Sequence, residues 1–95
     1  MGKKEDYIDK LAAQLKVWSA EIDILKAKAE KETIMVKLAI LKEVEILNKK
    51  MQNVENKIKE IKEKSDDAWE ILAEGTNRAW NDLRKAVHQF EEKFK

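Results

Sequence analysis

Apolar residues recur along the first third of the chain at alternating steps of three and four: Ile8, Leu11, Leu15, Trp18, Ile22, Leu25 and Ala29. That spacing is the a/d seam of a heptad helix. It returns at Val44, Leu47, Met51, Val54, Ile58, Ile61 and Ser65, one residue out of heptad phase. Ile8 and Val44 are separated by ten whole turns at 3.6 residues per turn, so both point the same way on a straight helix. The pattern therefore predicts one long helix over about residues 5–64, ~90 Å at 1.5 Å per residue. Pairs at i,i+4 such as Asp6–Lys10, Glu45–Lys49, Glu55–Lys59 and Glu60–Lys64 support it.

Between the two seams the pattern changes. Ten of the fifteen residues from Thr33 to Leu47 are apolar, and they cover more than one helix face. A helix apolar most of the way round expects neighbours on several sides. The stretch is too short to span a membrane and carries Lys37 and Lys42. Burial against protein is the expectation, with Ile34, Leu38 and Leu41 as its contact residues.

Ser65-Asp66-Asp67 is the best boundary. Asp67 with Glu70 three residues on has the form of a capping box, and Ser65 or either Asp is a suitable N-cap. A second helix is predicted over about residues 66–94. Its period is eleven: Ala68-Trp69 and Leu72 align with Ala79-Trp80 and Leu83, and loosely with Val87, Phe90 and Phe94. Eleven residues in three turns give a nearly straight stripe. Gly75 lies beside it, either to admit a close neighbour or as a soft spot costing roughly 1 kcal/mol relative to Ala.

These elements define an all-α chain, a single coiled-coil domain over residues 1–95, and two ways to bury its seams. In one, the long helix breaks near Lys31-Glu32-Thr33 and three helices form a monomeric bundle. In the other, the helix stays straight and two chains cross antiparallel as a domain-swapped dimer. The absence of Pro, and of Gly between Lys3 and Glu74, leaves few places to turn. The dimer is therefore the expected form. Its interaction face is Ile8, Leu11, Leu15, Trp18, Ile22, Leu25, Ile34, Leu38, Leu41, Trp69 and Trp80.

Composition narrows function mainly by exclusion. The 20 basic and 19 acidic residues interleave, for a net charge of +1. Phosphate neutralisation needs a basic excess on one face, so no nucleic-acid partner is expected. There are no cysteines, which removes disulfides and thiolate metal sites. His88 is the only histidine, and with Glu91 and Glu92 it falls short of the ligand set of a catalytic metal. No phosphate loop, nucleophile motif or zinc spacing is present. The expectation is a chain that is not an enzyme, with no cofactor and no metal. The basic start lacks an apolar run after it, which points to the cytoplasm.

Trp18, Trp69 and Trp80 raise a lipid-surface alternative through the second helix. From Ser65 onward, however, seven acidic residues face five basic ones. Interfacial helices favour Lys and Arg on the polar face, so a membrane surface is not the favoured partner.

Tyr7-Ile8-Asp9-Lys10-Leu11-Ala12-Ala13-Gln14-Leu15-Lys16, Trp18-Ser19-Ala20-Glu21-Ile22-Asp23, Ser65-Asp66-Asp67-Ala68-Trp69-Glu70 and Ala79-Trp80-Asn81-Asp82-Leu83 together resemble a family of short bacterial coiled-coil domain-containing proteins of uncharacterised function. The resemblance covers both ends, while Ile34–Leu47 is more apolar than the charged middle of that family. It implies helices and carries over no functional residues. The expected role is a structural or interaction protein: a helical homo-oligomer acting as scaffold, spacer or assembly factor, with a further protein partner as an option.

Overall fold

Each apolar stripe has become a separate helix. The structure, a computed structural model, describes residues 2–94: α1 spans Lys3–Ala29, α2 Ile34–Glu63 and α3 Trp69–Lys93, with no strand among the described residues. The molecule measures 52 × 20 × 19 Å, the length of its longest helix plus the turns at either end. α1 and α2 are antiparallel, as are α2 and α3, so α1 and α3 run parallel. No helix among the described residues is long and apolar enough to cross a membrane.

The break at residues 30–33 corrects the expectation of one helix over 5–64 and a shorter partner. Thr33 supplies the cap that the seam pattern did not reveal. Its backbone is extended (φ −61°, ψ 158°) and its hydroxyl accepts the Val36 N–H at 3.5 Å. Lys37 reaches back across the turn to Glu30 at 2.9 Å. Ala29, the last seam residue of α1, is completely buried. Its small side chain lets the two helices converge at the turn. Folding back in this way buries the α1 seam on the α2 seam within one chain.

The core follows the two seams closely. Ile8, Leu11, Leu15, Trp18 and Ile22 of α1 meet Ile40, Val44, Leu47, Met51, Val54, Ile58 and Ile61 of α2. α3 adds Trp69, Leu83, Val87 and Phe90, and every residue of its eleven-residue stripe is buried or half-buried. Thr76, a buried polar residue of α3, donates its hydroxyl to the Leu72 carbonyl at 3.0 Å, so its burial leaves no orphan group.

The second boundary also shifts. α3 starts at Trp69, with Ala68 at the N-cap and no side-chain cap bond, so the Asp67–Glu70 box is not made. Residues 65–68 form a turn closed by the Ala68 N–H on the Ser65 carbonyl. The open end of α2 is served instead by Lys4. Its ammonium donates to the carbonyl of Lys64 at 2.7 Å and of Lys62 at 3.4 Å, and lies 3.8 Å from Asp66. A cation at a helix C-terminus satisfies orphan carbonyls and complements the dipole.

Candidate interaction surface

Of the eleven residues assigned to the interaction face, most are spent inside the bundle. Ile8, Leu11, Leu15, Trp18, Ile22 and Trp69 are buried, and Leu25, Leu41 and Trp80 are half-buried. Two aromatic contacts and a hydrogen bond explain how parallel α1 and α3 hold together although their backbones hardly approach within 8 Å. The Tyr7 and Trp69 rings lie 5.4 Å apart, and the Trp18 and Trp80 rings 4.7 Å. The Tyr7 hydroxyl adds a hydrogen bond to the Asn77 side-chain carbonyl at 2.5 Å. Burial pushes the Tyr7 phenol pKa up. The aromatic face of α3, the lipid-surface candidate, is therefore turned inward.

The other two residues do the opposite. Ile34 is 74% exposed and Leu38 62%. Met35, at 81%, and Val36 join them, although neither stood among the expected contact residues. These four form an apolar tip on the first two turns of α2. Its position follows from helix lengths. α3 ends where Lys93 meets Glu43 at 3.8 Å, so α2 residues before that level have α1 on one side and no third helix. Lys28, Lys31, Glu30 and Glu32 ring the tip from the α1 side.

Polar chemistry elsewhere is sparse. Among the described residues no three His, Asp or Glu side chains are placed to hold a metal ion. His88 pairs with Glu92 at 3.1 Å on an exposed face. Glu91 turns instead toward Glu21 of α1. The hydrogen bond between these two carboxyls raises the Glu21 pKa, with burial and the like charge of Glu91 adding to it. The pair sits beside Ile24, Leu25 and Lys28, near the tip end of the bundle. An open trough between α1 and α2 is walled by Leu15, Met51 and Ile58 and rimmed by Lys16, Lys59 and Lys62.

Neither the carboxyl pair nor the Tyr7–Asn77 bond has a local sequence signal, because each joins residues seventy apart. The tip has one: four apolar residues in five, directly after the polar run Glu30-Lys31-Glu32-Thr33. No protein-family model, curated protein or solved structure matches the chain.

Proposed function

We propose that this chain is a non-enzymatic structural protein of the cytoplasm that works by association, as a helical homo-oligomer that scaffolds or spaces an assembly. The reading is carried by one observation. Ile34, Met35, Val36 and Leu38 face solvent together at one end of the bundle, whereas the other exposed large apolar residues, Val17, Ile24, Ile46 and Ile71, are scattered along the chain. The tip residues present on the order of 400 Å² of apolar surface, the size of the largest patch on a typical monomer, which is often a functional one. Singly exposed apolar residues are ordinary, but a contiguous set on a helix end marks a contact surface.

A dimer is the simplest assembly that covers the tip, since a two-fold axis through it places the same patch on both partners. Sedimentation or light-scattering mass as a function of concentration tests the reading. The expected result is a concentration-dependent rise toward twice the 11.1 kDa chain mass. A monomeric mass at every concentration overturns it.

A further inference from the structure

We infer that the apolar tip of α2 enters an anionic phospholipid surface, with the lysines around it meeting the headgroups. This goes beyond the self-association proposed above and does not depend on it.

The direction of the side chains comes first. On a helix of 3.6 residues per turn Leu38 stands nearly opposite the buried Ile40 and Leu47. Ile34 and the half-buried Leu41 lie to one side of Leu38 and Met35 to the other. Ile34, Met35 and Leu38 therefore point away from α1, and they lie past the level of Glu43, where α3 ends. No helix of the chain covers them. The result is a convex apolar face two turns long, not a groove. A bilayer interface is fluid and closes around such a face, and lipid-surface helices bury theirs about 5–10 Å deep.

The charge around the tip supplies the second condition. Residues 26–42, the closed end of the α1–α2 hairpin, hold Lys26, Lys28, Lys31, Lys37 and Lys42 against Glu30 and Glu32. That is a net charge of +3, where the whole chain has +1. Of these groups only Lys37 and Glu30 join in an ion pair, at 2.9 Å. Lys26, Lys28, Lys31 and Lys42 are exposed and make no ion pair among the described residues. The acids next along α2 are already engaged, Glu43 with Lys93 at 3.8 Å and Glu45 with Lys49 at 3.7 Å.

Lys31 precedes the apolar stripe, Lys42 follows it and Lys37 lies at its edge. Their long stems can hold the ammonium groups at headgroup level while the apolar side chains go deeper. Each lysine close to an anionic surface raises affinity about fivefold. The acidic excess that weighs against α3 as a lipid-surface helix is reversed at this end. A membrane and a second copy cover the same residues, so they compete for the tip.

The chain has no cysteine, so Met35→Cys and Ile71→Cys each accept a single environment-sensitive fluorophore. The two sites are 81% and 80% exposed and lie at opposite ends of the bundle. Vesicles of equal parts phosphatidylcholine and phosphatidylglycerol should give a blue shift and a gain in emission at residue 35 and none at residue 71. Vesicles of phosphatidylcholine alone should bind at least about tenfold more weakly.

Co-sedimentation of the unlabelled chain with the anionic vesicles separates the two contributions. Leu38→Asn removes apolar surface at constant charge. Lys31→Gln combined with Lys42→Gln removes charge and leaves the stripe. Each should lower binding by about tenfold or more, with helicity unchanged. Absence of binding to the anionic vesicles, an equal response at residue 71, or full binding by either variant overturns the inference. A dimer mass without vesicle binding overturns it while leaving self-association standing. Vesicle binding by a chain that is monomeric at every concentration supports it and overturns self-association.

Discussion

Trp18 and Trp80 stack at 4.7 Å with their planes tilted by 31°, and this pair bridges two helices whose backbones stay apart. Trp18 is a buried seam residue of α1, and Trp80 is a half-buried member of the α3 stripe. Trp18→Ala and Trp80→Ala should each cost about 3 kcal/mol in denaturant unfolding, since large aromatic truncations leave a void. The double variant should show a coupling of about 1 kcal/mol, the part belonging to ring–ring contact. Additive losses would mean that the rings act only as separate fillers.

Gly75 offers a gain. It lies within α3, and a Cβ built on it meets nothing within 4 Å, so it serves no close approach of another helix. Gly75→Ala should raise stability by about 1 kcal/mol, the intrinsic helix preference of alanine over glycine. Thermal or urea unfolding reads it directly, and a loss of stability would contradict the open space around this position.

Glu21 and Glu91 predict a pH dependence. Their shared hydrogen bond raises the folded pKa of Glu21, so the folded state holds a proton that the unfolded chain has released. The stability from this proton is complete below the ordinary glutamate value of about 4.3 and is lost as pH rises through the raised folded value. Glu91→Gln keeps a donor and removes the like charge. Its stability relative to the parent should therefore grow as pH rises from about 4 to about 7. A pH-independent difference between the two proteins would remove the pair as a titrating unit.

The tip should be separable from the fold. Ile34→Glu and Leu38→Lys change exposed positions, so unfolding free energy should stay within about 0.5 kcal/mol of the parent. Association should fall to the monomer in both. Unchanged mass would place the contact elsewhere on the bundle.

The helical class, both seams and the α3 stripe could be read from residue spacing, because burial on one helix face imposes a period that the sequence must carry. Ile8 through Ile22 and Val44 through Ile61 are buried as that period requires. The turn at residues 30–33 was harder to see. Its residues Glu-Lys-Glu-Thr are compatible with helix, and Thr33 acts as a cap only because burial of Ala29 and the seams favours folding back. The start of α3 misled for the reverse reason. Asp67 and Glu70 have the spacing of a capping box, yet the chain spends residues 65–68 on crossing from α2 to α3. Among the contact residues, Ile34 and Leu38 differ from Ile8 and Leu11 by nothing in residue type. Only the ending of α3 near Glu43 decides which pair meets solvent.

The aromatic bridging of α1 to α3 also ranks the helices by how readily they release. α2 and α3 are held by interlocked seams, together with a 2.6 Å ion pair between Lys50 and Asp82. On its α3 side α1 relies on rings at a few levels, with its own seam against α2. Loss of α1 alone therefore leaves a paired α2–α3 hairpin, a partial opening cheaper than global unfolding. Amide hydrogen exchange should show it as two classes of protection, with α1 amides exchanging earliest as one cooperative block and those around Leu47, Ile61 and Leu83 last.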